Sequence, residues 1–155
     1  MKISILLPYK ENYSPEYPGA VSLFVHSTSK LSIYKNSIRV YGNTNYKEKL
    51  SDNYTNIPLD KNNLFKSQSK EYVTKFIEQQ SVDNADIIEI HNRPNYVSLI
   101  TKKINTEIVL YFHNDPISMI GSKKIKERID LLTSCKKIIF NSEWSKKRFL
   151  KNVDS

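Results

Sequence analysis

The sequence predicts an α/β fold, a doubly wound parallel sheet in one domain. Three observations predict it. Strand-like runs at residues 3–7, 37–41, 86–90, 107–113 and 137–140 alternate with segments whose apolar residues recur at helical spacing. Each run ends in residues that stop a strand: Pro8, Gly42-Asn43, His91-Asn92-Arg93-Pro94, His113-Asn114-Asp115-Pro116 and Asn141-Ser142. The run at 108–112, Ile-Val-Leu-Tyr-Phe, has no polar break, so it reads as a strand buried on both faces at the middle of the sheet. Strands alternating with helices imply parallel pairing and right-handed crossovers.

Residues 3–7 form the first strand, and a polar loop follows through Pro18-Gly19. Residues 20–31 carry a helical stripe at Ala20, Val21, Phe24, Val25 and, through its methyl group, Thr28. The second strand spans 37–41. Residues 43–63 are polar and weakly patterned, a loop with a short strand near 54–57. Tyr72, Val73, Phe76 and Ile77 give 68–80 helical spacing. After the strand at 86–90, Asn95 caps a helix through Ile104, with Val97, Leu99, Ile100 and Ile104 facing inward. Beyond the central strand, Ser118 or Ser122 opens a helix whose inner side holds Ile125, Ile129, Leu132 and Thr133. Residues 137–140 are the last strand, and Ser142 caps a helix from Glu143 that contains Trp144, Phe149 and Leu150. No internal repeat or linker interrupts this order. The last helix reaches residue 155 without a stop signal, as expected for the first half of a longer protein.

Bulk properties narrow the class. The 155 residues are 39% hydrophobic and 26% charged, which fits a globular domain able to bury roughly 70% of its unfolded surface. No apolar run approaches the ~20 residues of a spanning helix, and the start, Met-Lys-Ile-Ser, reads as a strand rather than a signal peptide. The single Cys135 cannot form an internal disulfide, which fits a reducing cytosol, and its apolar neighbours point to an inert thiol. Net charge is +8. Between Gly121 and Lys151 ten Lys/Arg stand against three acids, +7 of that total. The chain is rich in Asn, Lys, Ile and Tyr and has only 3 Gly; AT-rich coding produces the same bias, so part of the charge is compositional.

Ligands of open α/β sheets bind beyond the carboxyl ends of the strands. Four polar segments lie at such ends: residues 9–19, 91–94, 113–116 and 141–143. Pro18-Gly19 is either a tight turn into a helix or a glycine that lets an anion approach a helix N-terminus. The common dinucleotide and phosphate-loop glycine fingerprints are absent, as is a serine nucleophile motif. His91 reads as a core histidine, whereas His113, beside Asn114 and Asp115, reads as a site residue. Arg93 is either a surface charge or a clamp for a carboxylate or phosphate. No His, Cys and carboxylate spacing fits a zinc site, so no metal is expected.

The order of these segments carries a resemblance. A first strand, a loop ending Pro-Gly-Ala, strands ending His-Asn-Arg-Pro and Phe-His-Asn-Asp-Pro, and a strand ending Asn-Ser before a Lys-rich helix resemble the N-terminal, Rossmann-like domain of retaining GT-B fold glycosyltransferases. The likeness is to glycosyltransferase family 4, used in lipopolysaccharide and other surface-glycan assembly. It covers residues 1–155 and is most specific at 89–94 and 107–116. The resemblance implies a hexosyltransferase that moves a sugar from a nucleotide-sugar to a glycan or lipid-linked acceptor, with no cofactor besides that co-substrate. It implies that His113 approaches the transferred sugar and is the catalytic residue. It puts Gly19 near the donor phosphates, and Asn92, Arg93, Asp115 and Ser142 along the acceptor cleft. Tyr17-Pro18 precedes Gly19 where the family commonly has a second glycine. The family's nucleotide-sugar domain lies C-terminal and is absent from these residues, so this stretch alone is expected to be inactive.

Three readings follow. The first is the acceptor-side domain of that transferase, cytoplasmic and peripheral at the inner face of a membrane, with Lys123, Lys124, Lys126, Lys146, Lys147 and Arg148 meeting an anionic surface. The second is a stand-alone α/β small-molecule or nucleotide-binding module. The third, a nucleic-acid binder, ranks last: the basic third holds few aromatic residues (Phe140, Trp144, Phe149) and no RNA motif. No nucleic-acid partner is expected.

Overall fold

The computed structural model describes residues 1–59 and 67–153. The chain is an α/β fold with six parallel strands among the described residues, and it divides into two compact units, Met1–Asp86 and Ile87–Ser155.

The first unit holds β1 (Ile3–Leu6), α1 (Ala20–Leu31), β2 (Ile38–Gly42), β3 (Tyr54–Asn56) and α2 (Gln68–Asp83). Its strands lie in the order β3-β2-β1, with Ile5 beside Val40 and Val40 beside Tyr54. Ile5, Leu7, Tyr13, Val21, Val25, Ile38 and Val40 make its core. Some polar groups drawn into this unit find partners, because an unpaired buried polar group is costly, while the Ser22 and Ser29 hydroxyls and Gln80 Nε2 are buried without one. Ser4 donates to Gln80 Oε1 at 3.0 Å, and Tyr72 donates to the Leu7 carbonyl at 2.9 Å. Asn84 ends α2 in the left-handed region, at φ 47°, which asparagine tolerates. The stripe of α1 sits differently from expectation. Val21, Ser22, Val25 and Ser29 are buried, while Ala20 and Thr28 are exposed. The helix turns its small serines inward, and the Thr28 hydroxyl bonds back to the Phe24 carbonyl at 2.9 Å.

The second unit holds β4 (Ile87–His91), α3 (Pro94–Thr101), β5 (Glu107–Phe112), α4 (Ile125–Ser134), β6 (Lys137–Phe140) and α5 (Glu143–Leu150). Its strands lie in the order β4-β5-β6, with Ile90, Leu110 and Ile138 side by side. In β5 only one face is sealed. Ile108, Leu110 and Phe112 are buried, while Val109 and Tyr111 are half-buried. The reading of a strand covered on both faces is therefore corrected: the unbroken apolar run hides a period of two.

Two helix starts also differ. Asn95 does not cap α3; Arg93 precedes it and Pro94 takes the first helical position, where a missing N–H costs nothing. Neither Ser118 nor Ser122 opens α4. Residues Pro116–Ser118 form a short 3-10 turn, Gly121 reverses the chain at φ +95°, and the Lys124 N–H donates to Glu127 at 2.9 Å as α4 begins. The expected inner residues Ile125, Ile129 and Leu132 are 42–44% exposed, and Leu131 and Arg128 face inward instead. Arg128 donates to the carbonyls of Lys123 at 2.9 Å and Lys151 at 2.7 Å, so a charged side chain ties the ends of α4 and α5 together. Trp144 is 59% exposed, whereas Phe149 packs between Phe112 and Phe140. Cys135 is half-buried, and burial pushes its thiol up to about 12, as an inert thiol requires.

Candidate functional site

Three of the four polar strand-end segments belong to the second unit, and hydrogen bonds join them around His113. β4 is followed by Asn92, whose backbone is left-handed at φ 52°. That turn aims the Asn92 side chain at the neighbouring strand end, where its Oδ1 accepts from His113 N at 2.8 Å and Asn114 N at 3.3 Å. From the far side, Asn141 Nδ2 donates to the His113 carbonyl at 2.7 Å. The backbone of His113 is held from both sides, which orients its ring.

The ring continues a polar chain along one face of the sheet. Glu89 and His91 are two residues apart on β4, so they share a face. His91 lies beside Tyr111 in the register, and His113 is the next residue on that face of the neighbouring strand. His91 Nε2 is 2.6 Å from Glu89 Oε1, and His91 Nδ1 is 2.8 Å from His113 Nε2. The three rings of His91, Tyr111 and His113 stack, with Tyr111 and His113 centroids 4.5 Å apart. His91 is buried. Burial, and then the electrostatic influence of the neighbouring His91, lower the His113 pKa to about 4, against a smaller upward pull from Glu89. His113 is therefore a neutral imidazole at pH 7.

The bonding pattern makes the proton positions interdependent. An ionised Glu89 takes the Nε2–H of His91. A neutral His91 then accepts at Nδ1 from His113 Nε2–H, which leaves His113 Nδ1 as an acceptor. A proton added to His91 reverses that bond and moves the His113 proton to Nδ1. Chemically, the arrangement can present a fixed hydrogen-bonding nitrogen and relay a proton through two rings.

The other expected site residues have structural partners. Asn92 is 5% exposed and its carbonyl oxygen serves the 113–114 backbone. Arg93 Nη1 donates to the Asn92 carbonyl at 2.8 Å. Asp115 accepts from Arg148 Nη2 at 2.8 Å and Nε at 3.3 Å, and it also accepts from Ile117 N. The Arg148 hydrogen bond holds the Asp115 carboxyl below its usual range. Ser142 caps α5 by accepting from Ser145 N at 3.2 Å. Among the described residues no three His, Cys, Asp or Glu side chains come together as a metal site.

Gly19 belongs to the first unit. It immediately precedes α1 with ordinary extended backbone, φ −72°. Its lack of a side chain matters for a different reason: a Cβ there would sit 1.8 Å from Glu11 Oε1. That carboxylate accepts from Ser22 N at 3.1 Å, so Glu11 occupies the helix N-terminus, where an anion is favoured. Gly19→Ala should expel Glu11 and destabilise the fold by about 1 kcal/mol. A thermal melt should show a fall of roughly 2–4 °C; an unchanged midpoint would show that the carboxylate is not held there.

Sequence reasoning missed Glu89 and the coupling of His91. The Glu-x-His spacing of Glu89 and His91, at the start of His-Asn-Arg-Pro, was the available signal for that pair, since it sets both side chains on one strand face.

No protein family and no curated protein matches this sequence. A solved structure does: sucrose-phosphate synthase from Thermosynechococcus elongatus matches with a TM-score of 0.65 at 11% identity, over 99% of this chain and 45% of that one. This chain thus spans less than half the length of that protein. The likeness shows the fold, a Rossmann-like α/β half of a GT-B fold.

Proposed function

We propose that this chain is the acceptor-side domain of a retaining, sugar-nucleotide-dependent glycosyltransferase of the family 4, surface-glycan kind. The reaction moves a hexose to a glycan or lipid-linked acceptor at the cytoplasmic face of a membrane, with the nucleotide-sugar as co-substrate and no metal. The observation that carries the reading is the Glu89–His91–His113 chain at adjacent carboxyl ends of parallel strands. A neutral, rigidly held imidazole hydrogen-bonds a sugar hydroxyl without adding charge. Fixing the sugar in this way can lower a transfer barrier by several kcal/mol. Glu89 and His91 act as positioning residues by setting which nitrogen of His113 carries the proton.

The test is transfer of labelled sugar from uridine and guanosine sugar nucleotides by the natural full-length polypeptide. Product with at least one donor, and a loss of about 10-fold in turnover in Glu89→Gln, are expected. Because Glu89 pulls the His113 pKa up, the acid limb of the Glu89→Gln rate profile should move to lower pH. No transfer from any of these donors would overturn the reading.

Lys123, Lys124, Lys126, Lys146 and Lys147 are exposed and form the proposed membrane-facing surface. Arg148 is engaged by Asp115 and lies over the Trp144 ring at 5.5 Å, so it contributes least. Binding to anionic vesicles that weakens with salt is expected. Equal binding to neutral vesicles would remove this surface from the account.

A further inference from the structure

A cavity of about 510 Å³ lies in the first unit. Its walls are the segments that leave the carboxyl ends of all three strands of that unit, together with the start of α2. This is where an open α/β sheet binds small molecules, and the volume falls within the roughly 300–1,000 Å³ of such sites.

Its chemistry is unusual. Five carboxamides line it: Asn12, Asn43, Asn45, Asn56 and Gln68. Among the described lining residues there is no carboxylate, and Lys10 is the one charged group. The described lining residues thus offer a cation no negative charge. One lysine and no arginine among the described lining residues make a poor clamp for a diphosphate.

Three of the amides are held by one half and offer the other. Asn43 Nδ2 donates to the Ile57 carbonyl at 2.7 Å, leaving its oxygen. Asn56 Oδ1 accepts from Thr44 N at 2.9 Å and from the Tyr54 hydroxyl at 3.0 Å, leaving its NH2 group. Gln68 Oε1 accepts from the Tyr9 hydroxyl at 2.7 Å, leaving its NH2 group. Fixed donors and acceptors side by side, without charge, suit a ligand whose groups both donate and accept. Hydroxyls do both. The Tyr9 ring and Pro58 supply apolar wall for the C–H faces of such a ligand.

We infer that this cavity binds an uncharged, polyhydroxylated ring compound, a neutral glycan. Its use as the acceptor subsite rests on the transferase reading; the binding itself does not.

The experiment is saturation-transfer NMR on the intact chain with maltotriose, chitotriose and lactose, and with uridine diphosphate as the anionic control. At least one neutral oligosaccharide should bind with a dissociation constant of about millimolar. Gln68→Ala and Asn45→Ala, both at accessible positions, should each weaken it at least about fivefold with unchanged melting temperature. His113→Ala should leave it unchanged. Failure of all three sugars to bind would overturn the inference. So would equal affinity in both amide variants, or displacement of the sugar by uridine diphosphate. Sugar binding that survives in a full-length protein without transferase activity would instead overturn the transferase reading and keep the glycan site.

Discussion

His113→Ala in the natural full-length protein should lower sugar transfer by about 10²–10³-fold, the usual cost of losing one positioned hydrogen-bonding group at a reacting centre. The melting temperature should fall by no more than about 4 °C, because the ring is only half-buried and its backbone is held independently by Asn92 and Asn141. The pH dependence of stability should change as well. In the folded protein His113 titrates near 4, and in the unfolded chain near 6.5. Between those values the unfolded chain binds the extra proton, so stability is full above 6.5 and is lost as pH falls toward 4. The alanine variant should lose less over that window. The Asp115–Arg148 pair remains in both proteins and cancels from the comparison. A large fall in melting temperature with unchanged specific activity would place His113 in the core.

Gly121→Ala should be the most destabilising single methyl addition in the second unit. Gly121 has φ +95°, which an L side chain adopts only under strain, and a Cβ there would lie 2.5 Å from the backbone nitrogen of Asn95. The neighbour is the first turn of α3, which cannot swing aside as a side chain can. Strain and overlap together should cost about 2–4 kcal/mol, or roughly 5–15 °C in melting temperature. The loss should come with retained helical circular dichroism at low temperature. A change within about 1 °C would mean that the turn between the 3-10 segment and α4 relaxes freely.

Strand order in the chain was legible because apolar runs and their stops are local signals. β6, at Lys137–Phe140, and α5, capped by Ser142, fall where the pattern put them. The helix faces were less legible. In α4 the apolar residues Ile125, Ile129 and Leu132 share a face, yet Arg128 turns inward because carbonyls at Ser122 and Lys123, and a distant one at Lys151, accept from its guanidinium. No local pattern shows a carbonyl 23 residues away. The same holds for Gly19: the sequence shows a glycine before a helix, but only the fold shows the Glu11 carboxylate in the space beside it. At the site, His113 could be found from its place after a strand. Its partner His91 could not, because the contact depends on the register between β4 and β5. The amide cavity was invisible for a related reason. Asn43 and Asn56 lie in a stretch whose polarity reads as loop, and Gln68 stands at the start of a helix, with no local signal that joins the three.

The proposed function makes residues 1–155 the acceptor side of a two-walled transferase, without a nucleotide site of their own. Isothermal calorimetry of this chain with uridine and guanosine sugar nucleotides tests it most directly. Among its described lining residues the carboxamide cavity has one lysine to meet a diphosphate, and the N-terminus of α1 is already occupied by Glu11. Catalysis in a cleft needs both walls to hold the donor in line and exclude water. No heat of binding, or an affinity weaker than about millimolar, roughly −4 kcal/mol, is the expected result. Micromolar affinity for any of these donors would contradict the account and establish this domain as a complete nucleotide-binding module.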